Sequence, residues 1–297
     1  MLLVHAHPDD ETLGTGVTMA KYAAAGAEVC LVTCTLGEEG EVVVEDLAHL
    51  AAERDDALGP HRLVELTEAM AALGVTDHSR LGSDGRYRDS GMAYDERGLA
   101  VARDVLGPGI FWTSDLLEAA DELVPVIRSR RPQVLITYDQ FGGYGHPDHI
   151  QAHRVAMYAY LLAGARSYRP DLGPAWTVPR VLWTAISASW MREGIRAMRE
   201  AGDTETFKGF DADGGELPPM AVPDEAIAAM VDGIDYLPAK MAAMRAHRSQ
   251  IALDSPFFAG SDTSGGNQAW AMEHFRLAAG VPFPGDGWAD DLFAGLE

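Results

Sequence analysis

From Leu2 to Arg166, short apolar runs alternate with stretches of helical spacing, and this alternation leaves few architectures open. "LLVHAH" reads as a short buried strand. "DETLGTGVTMAKYAAAGA" follows with apolar positions at Leu13, Val17, Ala20 and Ala24, Asp10 as N-cap and Gly26 as a stop. "EVCLVTCT" is a second strand, and helical stretches run over Glu45–Leu58 and Pro60–Leu73. "DHSRLG" is a third strand. Then come a helix with Ser114 as N-cap and Pro125 as a possible kink, the strand "QVLITYD", and a helix opened by Pro147. Strands separated by helices predict an α/β, Rossmann-like, mostly parallel sheet with helices on both faces.

Beyond Arg166 the pattern changes. A Pro/Gly-rich connector, a strand at "RVLWTAISAS" and two helices, Trp190–Ala201 and Leu237–Ile251, sit among Gly- and Pro-rich loops. This predicts a metal-binding catalytic domain over 1–170 and a smaller mixed α/β region over 171–297 that shapes the substrate site.

Ligands of such sheets sit beyond the carboxyl ends of the strands, and that is where the polar residues cluster. The tripeptide His-Pro-Asp occurs twice, as His7-Pro8-Asp9 and His146-Pro147-Asp148, each time where a strand hands over to a helix. With Asp10 and His149 they bring imidazoles and carboxylates to one place. That is the donor set of a catalytic zinc site with three protein ligands and one open position. A single copy reads most simply as a helix start capped by Asp. Two copies at equivalent strand ends, with an extra Asp and an extra His, point to a metal, because adjacent buried aspartates need a cation or hydrogen-bond donors. On the residues alone, His146 and His149 are equivalent candidates for the third ligand. His5 reads as a structural histidine nearby. Gly14-x-Gly16 is no dinucleotide fingerprint, since Met19 stands at the third glycine position and the acidic residues ahead would repel a pyrophosphate.

Composition removes other classes. Against 23 Lys+Arg stand 45 Asp+Glu, a formal net charge of -22, which repels phosphate backbones and anionic lipid. Nucleic acid and membrane are therefore not expected partners, and with no basic leader or long apolar span in view the expected compartment is the cytoplasm. Cys30 and Cys34, four apart on one strand, read as two buried reduced thiols.

"HAHPDDETLG" and "YGHPDHIQAH" closely resemble the two motifs of the LmbE-like zinc-dependent N-acetylglucosaminide deacetylases, and the likeness continues through "VTCTLGEEGEV", "GRYRDSGM" and "LITYDQFGGYGHPDH". Within that family the likeness is greatest to the mycothiol-biosynthesis branch. This branch removes acetate from 1-O-(2-acetamido-2-deoxy-glucopyranosyl)-myo-inositol. The mycothiol S-conjugate amidases are the alternative branch.

The resemblance implies one Zn²⁺ per chain, or Fe²⁺ or another divalent metal, held by His7, Asp10 and His149. It implies Asp9 as general base and His146 as the group that stabilises or protonates the tetrahedral intermediate, with Asp148 orienting His146. Tyr144 would donate to the oxyanion, and Arg62 and Asp89 would bind the hydroxyls of a small amino-sugar substrate. A non-catalytic carbohydrate- or metal-binding protein on the same scaffold is the contrasting possibility. Asp9 argues against it, because metal binding alone needs no unligated carboxylate beside the metal. Oligomeric state is left open.

Overall fold

The computed structural model describes residues 1–96, 99–200, 202–204, 207–252 and 266–296. Its centre is one sheet in the order β3-β2-β1-β6-β7-β10-β9. The parallel part consists of β1 (Leu2–His5), β2 (Cys30–Thr33), β3 (Asp77–Arg80), β6 (Val134–Thr137) and β7 (Arg180–Ser187). Two antiparallel strands, β9 (Ala229–Asp232) and β10 (Met272–Gly280), extend the same sheet beyond β7. A small strand β8 (Ala221–Val222) pairs with β7, and β4 (Ala93–Tyr94) with β5 (Ala100–Val101) makes a separate hairpin. The expected α/β architecture is therefore observed. Strands β9 and β10 are additions that the sequence pattern does not announce.

Successive side chains of β1 serve opposite faces. Leu2 and Val4 pack with Ala119–Ile127 of α3 (Leu116–Arg130) and Ala152–Ala163 of α5 (Pro147–Gly164). Leu3 packs with α1 (Asp10–Ala24), α2 (Leu58–Leu73) and α7 (Leu237–Ala246). A strand covered on both faces has no polar side, which is why β1, β2 and β6 are buried throughout. Cys30 and Cys34 are both free and buried within this core.

Helix boundaries differ in detail from the expectation. The stretch 45–58 holds only a 3-10 turn over Glu45–Leu50, and α2 begins at Leu58. Asp115, not Ser114, caps α3 by accepting from the Glu118 N–H at 2.9 Å, and α3 continues across Pro125. Helix α6 spans Ala188–Glu200; Ala201, the expected last residue, lies outside the described residues. Asp9, not Asp10, is the N-cap of α1, and its side chain makes no capping bond. Both aspartates are thus free for other work. Among the described residues no helix is long and apolar enough to cross a membrane.

Helix α1 is broken at Thr15 (φ −144°), and the chain beyond residue 230 repairs the break. Lys240 Nζ donates to the freed Leu13 carbonyl at 2.9 Å and to Glu273 Oε1 at 2.8 Å. Glu273 accepts the Val17 and Thr18 N–H groups at 3.1 and 2.9 Å, serving as a cap inside the helix. Lys240 and Glu273 are almost fully buried, so removing one leaves an uncompensated charge. Lys240→Met should therefore lower unfolding stability by about 3 kcal/mol or more, read from the urea midpoint. A midpoint within experimental error of the wild type would show that the pair does not stabilise the break.

Candidate metal centre

Strands β1 and β6 lie side by side and parallel, with Leu2 opposite Leu135 and Leu3 opposite Ile136, so they finish together at the same edge of the sheet. His7, Asp9 and Asp10 follow β1. The turn α4 (Gly142–Gly145), His146 and α5 follow β6. His146 is the N-cap of α5 with Pro147 at the first helical position, which delivers Asp148 and His149 into the first turn.

The cluster is nearly dry. His7, His146, Asp148 and His149 are all buried, and Asp10 is mostly so. Asp10 stands between two imidazoles, with Oδ2 at 3.2 Å from His7 Nδ1 and Oδ1 at 3.3 Å from His149 Nε2. The ring nitrogens of His7, His146 and His149 also approach one another closely enough to share one ion. Each histidine's outer hydrogen bond identifies the nitrogen left for the cluster. His149 Nδ1 faces the Gly142 carbonyl at 3.2 Å and must donate to it, leaving a lone pair on Nε2. That Nε2 is buried with no hydrogen-bond partner, an orphaned acceptor at the place where a cation would sit. His7 stands between carboxylates, with Nε2 3.2 Å from Asp148 Oδ2 and Nδ1 3.2 Å from Asp10 Oδ2; both nitrogens donate when the ring is protonated, and with a cation in place Nε2–H donates to Asp148 and Nδ1 is left for the cation. His146 is the reverse case. Its Nδ1 accepts the Asp148 N–H at 3.1 Å, so the neutral ring carries its proton on Nε2. The buried imidazoles and carboxylates form a donor set that fits a divalent metal, with the His146 Nε2–H as a hydrogen-bond donor beside it.

This corrects one expectation. The Asp148 carboxylate orients His7, not His146, and is itself held by the Ser90 hydroxyl and by the Ser90 N–H at 2.8 Å. Only the Asp148 backbone meets His146. Asp89 stands on the same side of His7, with Oδ1 3.4 Å from Nε2, and accepts from the Gly91 and Glu39 N–H groups. Arg62 is likewise committed to the framework. Its guanidinium reaches the Gly37 carbonyl at 2.8 Å, the Pro8 carbonyl and, at 3.0 Å, the Asp9 carboxylate. The two residues expected at substrate hydroxyls are thus 2% and 3% exposed, with most of their polar atoms taken.

Asp9 is held in an unusual state. Its φ of 120° lies where L-residues seldom go, at a cost of about 1–3 kcal/mol. Glu11 Oε2 accepts its N–H at 2.8 Å. Burial pushes the Asp9 carboxyl up to about 6, with Arg62 pulling it down and Asp10 adding to the rise. Burial opposes the charge on Asp10, yet His149 and His7 outweigh it and hold the carboxyl well below the usual range. Burial and the neighbouring imidazoles push His146 down to about 2, so its ring is neutral at working pH. His7 is different: burial opposes its charge, but Asp89, Asp10 and Asp148 raise it well above an ordinary histidine. The pocket around His7 favours positive charge. Tyr144 comes from α4, its ring centroid 5.0 Å from that of His149, and burial raises its hydroxyl so that it stays a donor.

Sequence reasoning missed several supports. The Tyr138 ring stacks on His149 at 4.2 Å and 19°, and its hydroxyl accepts the Ala6 N–H. Ser90 lies within the quoted "GRYRDSGM", beside Asp89, so its signal was present but its bond to Asp148 was not legible. His5 is the structural histidine expected, set between Thr15 Oγ1 and the Tyr138 hydroxyl.

The chain is similar to known proteins along its whole length. The family model PIG-L, GlcNAc-PI de-N-acetylase, matches residues 2–160. A protein of Kribbella flavida named 1D-myo-inositol 2-acetamido-2-deoxy-alpha-D-glucopyranoside deacetylase is 59% identical over 297 residues, covering 100% of this chain and 97% of its own. A protein of the same name from a Nocardioides species is 59% identical over 298 residues, covering 100% and 98%. Among solved structures, the N,N'-diacetylchitobiose deacetylase of Pyrococcus horikoshii superposes with a TM-score of 0.59 at 20% identity, covering 95% of this chain and 83% of its own. GalB, a 4-carboxy-2-hydroxymuconate hydratase of Pseudomonas putida, does so at 0.60 and 19%, covering 97% and 98%. These last two share the fold, which evidently hosts unlike reactions.

The ring assignments separate the two histidines of the second motif. His149→Ala should strip most bound metal, whereas His146→Ala should keep it, because its cluster-facing nitrogen carries a proton. Elemental analysis of the purified variants reads this directly, and a metal-free His146→Ala would reverse the assignment.

Proposed function

The chain belongs to the PIG-L family, the GlcNAc-PI de-N-acetylases, and on that premise we propose that it hydrolyses the acetamide of 1D-myo-inositol 2-acetamido-2-deoxy-α-D-glucopyranoside, releasing acetate and the free amine for mycothiol biosynthesis. The observation that carries this reading is the full-length 59% identity to relatives named for that deacetylation. The buried cluster supplies the matching chemistry. The two buried reduced cysteines suit a cytoplasmic setting.

In this reading His7, Asp10 and His149 would hold a divalent metal such as Zn²⁺, which would supply Lewis-acid polarisation of the acetamide carbonyl and acidify water near neutral pH. Asp9, near the operating pH in its proton affinity, takes the proton of the attacking water. The Tyr144 hydroxyl, kept protonated by burial, donates to the oxygen that gains charge. His146 presents Nε2–H as a neutral hydrogen-bond donor to the tetrahedral intermediate, and the proton that Asp9 took from water passes to the departing nitrogen, because an amine anion leaves poorly. Asp148 holds His7 in the tautomer that faces Asp10. Arg62 and Asp89 remain our proposal for meeting substrate hydroxyls.

The activity should have an acidic limb set by Asp9: as pH falls through about 6, or lower once a divalent cation adds its charge, the base becomes protonated and kcat/KM declines. The Arg62 guanidinium lowers the Asp9 value, so Arg62→Met should move that limb to higher pH. A limb that moves down or stays in place would separate Arg62 from the base.

Substrate identity is checked by following primary amine or acetate release from three compounds. The inositol conjugate should react fastest. Free N-acetylglucosamine should lose heavily in kcat/KM, because binding energy from the inositol no longer orients the acetamide. A mycothiol S-conjugate should be a poor substrate. Equal rates on the first two would leave a general N-acetyl-sugar deacetylase, and preference for the third an amidase.

A further inference from the structure

Outside the metal cluster, Glu11 and His247 form an ion pair of 2.8 Å in which both side chains are completely buried. Glu11 Oε1 accepts from His247 Nε2 and, at 2.6 Å, from the Thr12 hydroxyl. Its other oxygen accepts the Asp9 N–H at 2.8 Å. His247 caps the far end of α7, more than two hundred residues away in sequence, and its Nδ1 is buried with no partner among the described residues.

As a stabilising device this pair is poor. Two ionisable groups are desolvated and one ring nitrogen is orphaned, where apolar side chains of equal volume would do as well or better. What the pair alone provides is a carboxylate oxygen fixed at the Asp9 amide. Asp9 has no capping bond to hold it, and at φ 120° it would relax if its N–H were free to turn. The direction of an N–H about a given Cα also fixes where the side chain points. The Asp9 carboxylate is held separately, by Arg62 at 3.0 Å.

We infer that Glu11 and His247 are positioning residues for Asp9: His247 anchors the Glu11 carboxylate, and Glu11 clamps the Asp9 amide so that the Asp9 carboxylate keeps its aim at the reacting water. The inference rests on the reading of Asp9 as the base. It gives the C-terminal part of the chain a share in the reaction without contact with substrate or metal.

A double-mutant cycle in the zinc-loaded full-length protein tests it. His247→Leu should lower kcat on the order of 10–100-fold, with KM and metal content close to wild type, since the base is misplaced and not removed. His247→Gln, which keeps an N–H for Glu11, should recover most of that loss. In an Asp9→Ala background, His247→Leu should have almost no further effect, because nothing remains to be positioned. If His247→Leu does not fold, Glu11→Gln, which cannot accept from all three of its partners, serves in the same cycle. An equal fold-loss in both backgrounds, or a loss lying in KM or metal content, overturns the positioning role. An Asp9→Ala variant with wild-type kcat fails differently: it removes the base assignment itself.

Discussion

Carboxylates of Asp10, Asp89 and Asp148 converge on one buried imidazole, and such a group holds together only around positive charge. A proton on His7 or a divalent cation beside it provides that charge. The surrounding structure follows from the requirement. Adjacent parallel strands β1 and β6 bring the two His-Pro-Asp segments to one edge. Neither Asp9 nor Asp10 is used up in capping α1. Ser90, Gly91 and Glu39 supply the hydrogen bonds that the outer carboxylates need once water is gone.

Much of this was legible in the residues. The alternation of apolar runs and helical spacing gave the parallel sheet, since strands buried on both faces must be apolar throughout and must be joined by crossovers. The doubled His-Pro-Asp gave the cluster, because residues just past parallel strand ends meet at the same edge. The residues by themselves left His146 and His149 both open as the third ligand, and only the family resemblance favoured His149. That choice depends on which ring nitrogen is occupied by the Gly142 carbonyl or the Asp148 amide, and neighbouring atoms of that kind leave no mark in residue order. For the same reason the Asp148 carboxylate was expected at the wrong histidine.

The C-terminal third was harder to read. Strand β10 carries His274, Phe275, Arg276 and Leu277 in succession, a mixture without clean alternation, and pairs antiparallel with β7 from far away in sequence. Pairing of that kind is specified by the partner, which local pattern does not reveal. Arg62 and Asp89 show the same limit: a charged residue reads as solvated until packing shows it buried. The supports that reach α1 from this part, Lys240, His247 and Glu273, carry no motif at all. They make the beginning of the chain depend on its end.

The two cysteines bear on the setting in which the protein works. Burial raises the Cys30 thiol to about 11 and Cys34 higher still. At neutral pH both thiols stay protonated, and the thiolate is the species that attacks a disulfide or meets an oxidant. Neither buried sulfur offers an oxidant an easy entry, so the chemistry of the His–Asp cluster is insulated from thiol oxidation elsewhere in the chain.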